Sequence, residues 1–128
     1  MKRIALPLLF LILVCTTHAQ ERKQAPHNGY IKRAGYYTVE VVDCFGYLEV
    51  YLFEMNMRPV RNYGLEGLAD FHYPDSTCTT SRLYPYGTDG FTAQAEREPY
   101  SSVDLFIRGR GISIRVMFKD IVCIRPEE

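Results

Sequence analysis

Between Tyr36 and Phe118 the apolar residues fall at every second position in short runs, and Gly, Pro, Asn and Asp separate the runs. Period-two alternation sends successive side chains to opposite faces of a strand, so each run predicts a β-strand with one face buried. Tyr37, Val39 and Val41 form the first inward set. Leu48, Val50 and Leu52, beyond Cys44-Phe45-Gly46, form the second, and the two runs read as a hairpin. Ala69, Phe71 and Tyr73 make the third, after which Pro74-Asp75-Ser76 turns the chain into a Thr-rich, half-exposed edge strand from Thr77 to Leu83. Phe91, Ala93 and Ala95, then Val103, Leu105 and Ile107, and finally Ile112, Ile114, Val116 and Phe118 complete the series. Met55 to Gly64 and Tyr84 to Gly90 break the alternation and read as a loop and a turn.

No amphipathic helical stretch of useful length competes with these strands. The expected fold is therefore all-β, a seven-stranded immunoglobulin-like Greek-key β-sandwich. The first, second and fifth strands are expected in one sheet and the other four in the second. Strand direction alternates, which assigns each loop to one of two poles. Cys44, Cys78 and Cys123 collect at one pole. The residues before the first strand with His27, the loop with Met55 and Met57, and the Tyr84 to Gly90 turn collect at the other.

The N-terminus carries a different signal. Lys2 and Arg3 precede an apolar run from Ile4 to Val14, and Thr17 and Ala19 offer the small residues of a cleavage site. Residues 1–19 are expected to be a signal peptide, since the apolar run is shorter than the ~20 residues of a membrane-spanning helix. No later stretch is long enough, so no transmembrane segment is expected after cleavage, and the product should be periplasmic or secreted. Residues 20–29, polar and containing Pro26 and Gly29, read as a flexible leader, and 30–128 as one β-sandwich domain.

Removing Lys2 and Arg3 leaves 13 basic residues against 15 acidic ones, which provides no general attraction to nucleic acid. The remaining cysteines lack CxxC spacing, so neither a thioredoxin-like motif nor a zinc ribbon is indicated. In an oxidising compartment, three cysteines suggest one disulfide, with three unpaired thiols as the alternative; if one forms, the shared pole favours Cys44 with Cys123, leaving Cys78 on the edge strand. The two histidines beyond the signal, His27 and His72, sit in no nucleophile elbow or metalloprotease motif. Asp70 and His72 alternate onto the outer face of one strand as a solvated pair. The expected protein is not an enzyme.

Two binding features stand out. His27, Met55 and Met57 share a pole, and imidazole with thioether is a donor set suited to copper, although a loop methionine also serves as core filler. The outer face of the first hairpin shows Tyr36, Tyr47, Tyr51 and Phe53, an aromatic surface suited to a protein partner. Cross-strand tyrosine pairing, or residues 20–30 folded back over the face, would account for the same residues.

Several short segments extend this reading: His27-Asn28-Gly29-Tyr30, Gly35-Tyr36-Tyr37 to Glu40, Glu49-Val50-Tyr51-Leu52-Phe53, Asn56 to Pro59, Gly64 to Gly67 and Asp89-Gly90-Phe91-Thr92-Ala93. Over Pro26 to Lys119 the chain resembles the small exported bacterial immunoglobulin-like domains related to YtkA-like modules, which occur alone or beside heavy-metal efflux components. That family pattern begins His-Gly-Gly, whereas Asn28 stands here in place of the first glycine, and the cysteines are not part of it. The resemblance implies metal traffic by association and carries over His27 as a ligand. Met55 and Met57 rest on their chemistry. The expectation is an exported, non-enzymatic binding or accessory module, handling copper or another soft metal. The alternative is a structural or adhesive domain using the aromatic face.

Overall fold

The computed structural model describes residues 25–121. The signal peptide, residues 20–24 of the leader and Cys123 lie outside the described residues.

Within the described residues the chain forms nine β-strands and no helix: β1 (Tyr30–Ala34), β2 (Tyr37–Cys44), β3 (Tyr47–Glu54), β4 (Glu66–His72), β5 (Cys78–Arg82), β6 (Tyr84–Tyr86), β7 (Gly90–Gln94), β8 (Ser102–Gly109) and β9 (Ile112–Lys119). They build two antiparallel sheets, ordered β1-β2-β3-β7-β6 and β5-β4-β8-β9, packed as a sandwich. The expected count of seven is corrected to nine. β1 and β6 are the additions, and both sit at edges of the first sheet.

Each addition has a physical reason for escaping the alternation pattern. β1 is five residues, two of them charged, and becomes a strand because it pairs with β2 from Tyr30 opposite Val41 to Ala34 opposite Tyr37. β6 is Tyr84-Pro85-Tyr86, which a central strand would not accept because proline donates no ladder hydrogen bond. As an edge strand it pairs only with β7, Pro85 opposite Phe91.

The core is the set of inward residues that the alternation selects. Val39, Val41, Leu48, Val50, Leu52, Ala69, Phe71, Phe91, Ala93, Val103, Leu105 and Ile107 are essentially inaccessible to solvent. Tyr73, Leu83, Val116 and Phe118 are buried beside them, and Ile114 is partly buried against the cluster. At about 25 cal/mol per Å² of apolar surface, burial of this layer is the main favourable contribution to folding.

The loop between β3 and β4 is held by backbone and side-chain bonds rather than left open. It folds back along β3, where Val60 N–H donates to Leu52 (2.9 Å) and Phe53 bridges Pro59. Asn62 Nδ2 donates to the carbonyls of Gly87 and Gly90, tying this loop to the turn before β7. Met57 takes positive φ (68°) where the loop reverses. These ties bring Met57 over the outer face of the first sheet.

Candidate functional site

β2 and β3 pair in register with Thr38 opposite Phe53, Glu40 opposite Tyr51 and Val42 opposite Glu49, all on the outer face. Strand alternation alone would leave Glu40 solvated there. Instead its side chain is completely buried (0 % exposed), because residues 25–29 cross this face before entering β1. Three donors converge on the carboxylate. Backbone N–H groups of His27 and Gly29 donate to Oε2, each at 2.8 Å, and His27 Nδ1 lies 2.9 Å from Oε1. A buried charge is tolerated only when its oxygens are satisfied in this way.

The turn has a residue-by-residue logic. Asn28 N–H donates to the Ala25 carbonyl (3.0 Å), and Asn28 adopts φ of 62°. That left-handed conformation suits Asn, whose short polar side chain tolerates it. Gly29 is required for a different reason. A Cβ there would collide with the Val41 carbonyl oxygen and come within 2.8 Å of Val42 Cγ2.

The His27 ring stacks on Tyr51, centroids 3.7 Å apart and planes 8° from parallel, with Phe53 tilted beside it at 6.4 Å. Tyr51 is received by Gly90 of β7, where any Cβ would come within 2.7 Å of the ring. The Tyr51 hydroxyl donates to Glu49 Oε1 at 2.8 Å. Burial, and then that bond to an anion, push the hydroxyl well above the ordinary tyrosine range.

A cavity of about 280 Å³ opens beside the stack, lined by His27, Tyr51, Phe53, Met57, Pro59 and Asp89 among others. His27 and Met57 are thus brought together, and Asp89 joins them from the turn before β7. Met55 is not: it is exposed and lines a separate shallow depression with Tyr36 and Glu54. Two of the three sequence-derived ligands thus line one cavity, but on the outer face of the first sheet rather than at a pole, because β1 begins opposite Val41 and the residues before it cross that face. A carboxylate accepting from Nδ1 assigns the ring proton to that nitrogen and leaves Nε2 of the neutral imidazole with its lone pair. Among the described residues no three of His, Cys, Asp and Glu gather closely enough to hold an ion.

The aromatic face is divided. Tyr51 and Phe53 are buried beneath residues 25–29 and the folded-back loop, while Tyr36 (79 % exposed) and Tyr47 (42 %) remain in solvent. Tyr84 and Tyr86 of β6, read from the sequence as part of a turn, are exposed on the same outer face as Tyr47. At the other pole Cys78 is an exposed free thiol and Cys44 is half-buried at the end of β2; its expected partner Cys123 is outside the described residues. His72 does not pair with Asp70. It lies 3.8 Å from Asp104, which Arg115 also approaches at 3.6 Å, while Asp70 accepts from Thr80.

Glu40 is the residue that sequence reasoning missed. A single glutamate at an outward strand position reads as solvated, and only the docking of residues 25–29 makes it an anchor. No protein-family model, no curated protein and no solved structure matches the chain.

Proposed function

We propose that this chain is an exported, non-enzymatic binding module of the immunoglobulin-like Greek-key type, related to the YtkA-like domains, that handles copper(I) at the His27–Met57 pocket. The observation behind this reading is the carboxylate-oriented imidazole. Glu40 holds Nδ1, Tyr51 fixes the ring plane, and Met57 supplies a thioether in the same cavity. An imidazole whose far nitrogen is held by a carboxylate is the arrangement typical of metal-ligating histidines, and thioether sulfur selects a soft ion. Asp89 is available as a third donor. Met55 leaves the ligand set.

Titration of the purified protein with copper(I) against a competing chelator tests the reading. His27→Ala and Met57→Ala should each weaken binding, and Met55→Ala should leave it unchanged. Absence of binding tighter than micromolar, or equal affinity in all three variants, would overturn it. In that event the adhesive alternative takes precedence, favoured by the exposure of Tyr47, Tyr84 and Tyr86 on one face.

A further inference from the structure

On the second sheet, far in sequence from His27, the outer face holds a groove of about 490 Å³, within the ~300–1,000 Å³ of small-molecule sites. Its floor is set by strand register. Arg82 of β5 lies opposite Leu68 of β4, and Leu68 lies opposite Phe106 of β8, so one row across the sheet runs from a cation over an aliphatic to an aromatic side chain. The next row places Glu66 opposite Arg108, with Ser113 beyond. Leu68 is 45 % exposed although it sits at the centre of the row.

The charges in this groove are not mutually satisfied. Arg82 has no hydrogen-bonding or ionic partner for its guanidinium among the described residues. Arg108 meets Glu66 only at 3.4 Å, with both side chains more than 70 % exposed, a pairing that contributes little in water. Arg115 borders the groove floor, lying over the Phe106 ring at 4.8 Å, but its charge is met by Asp104 at 3.6 Å. Two arginines and one glutamate leave a single net positive charge at the groove.

We infer that this groove binds a free monocarboxylate with an aliphatic body, the chain lying on Leu68 and Phe106 and the carboxylate held between Arg82 and Arg108. One net positive charge complements a monoanion better than a dianionic phosphate. Guanidinium donors suit a planar carboxylate. The apolar floor supplies the affinity that two exposed cations alone do not. The site is independent of the copper reading, since it shares no residue with the His27 pocket.

The test is titration of the purified protein with decanoate, monitored by backbone amide chemical shifts, with decanol and decylammonium as matched probes. Saturable shifts should centre on β4, β5 and β8, and decanol and decylammonium should bind about tenfold or more weakly, the scale of a lost charge-assisted hydrogen bond. The Arg82→Gln/Arg108→Gln double variant should lose the same factor. Leu68→Asp, an exposed change that places a like charge beneath the ligand, should abolish binding while retaining the thermal transition. Equal binding of the three probes, shifts centred on another face, unsaturable shifts, or decanoate binding unchanged in the double variant would each overturn the inference.

Discussion

Glu40 determines how the N-terminal turn sits on the sandwich. Replacement by Ala would leave the His27 and Gly29 amides without an acceptor and the His27 ring without its partner. Leaving such groups unpaired costs about 2–4 kcal/mol, and urea unfolding should register that loss. Glu40→Gln keeps an acceptor oxygen but removes the charge. If His27 ligates copper, the Gln variant should lose about 10–100-fold in copper affinity, the usual scale for removing a carboxylate behind a metal-ligating histidine. Tyr51 offers a separate test. Its raised pKa means that its contribution to stability is complete below about 10 and is lost as pH rises through the folded value. Alkaline absorbance titration should therefore show a tyrosine that ionises only with unfolding. Tyr51→Phe should remove that late step, and its persistence in the variant would refute the assignment.

At the scale of elements, residues 25–29 and the β3–β4 loop together convert an outer sheet face into a pocket. The turn is held from below by Glu40, and the loop is held by Asn62 and by Arg110, whose guanidinium bonds the Arg61 and Tyr63 carbonyls and stacks on Tyr63 at 4.0 Å. Gly29→Ala would drive a methyl into the Val41 carbonyl and lift the turn from the face. The expected cost is about 1–3 kcal/mol, as for other overpacked sites. In that variant Tyr51 should titrate closer to an ordinary tyrosine, and hydrogen exchange at the His27 amide should accelerate. Unchanged stability with Tyr51 still protected would show that the turn does not cover the pocket. The β1 strand is what permits this arrangement. Antiparallel to β2 and beginning opposite Val41, it enters the sheet from the cysteine-side half, and residues 25–29 reach Met57 by crossing the face.

Across the whole molecule, the two sheets are joined at their margins as well as through the core. Lys32 of β1 donates to the Met117 carbonyl of β9 (2.8 Å), and Tyr100, entering β8, packs edge-on against Phe71 and donates to Asp43 of β2 at 2.7 Å. Burial raises the Asp43 carboxyl above its ordinary pKa; the Tyr100 hydrogen bond pulls the other way, and nearby Glu98 adds to the rise. The fold therefore favours protonated Asp43. The contribution is complete below about 3.9 and is lost as pH rises through the folded value, leaving ionised Asp43 as a cost at neutral pH. Asp43→Asn keeps an oxygen for Tyr100 without the charge. It should raise the urea midpoint at neutral pH and lose that advantage in acid. A lower midpoint at neutral pH would reverse the assigned sign.

The alternation of Val39, Val41, Leu48, Val50, Phe71, Val103, Leu105 and Ile107 was sufficient to establish an all-β chain and to select its core, because burial on one face of a strand leaves a period-two mark in the sequence itself. His27 and Met57 stood out by donor type alone; that they line one cavity follows from the crossing turn and the β3–β4 loop. Strand β1 and strand β6 were not legible, since an edge strand is stabilised by its neighbour's backbone and needs no apolar pattern of its own. The covering of Tyr51 and the burial of Glu40 depended on where a five-residue turn comes to rest against strands that follow it. Such a contact is made between residues distant along the chain, and its free energy comes from hydrogen bonds and ring stacking rather than from any local periodicity, so only the tertiary structure decided it.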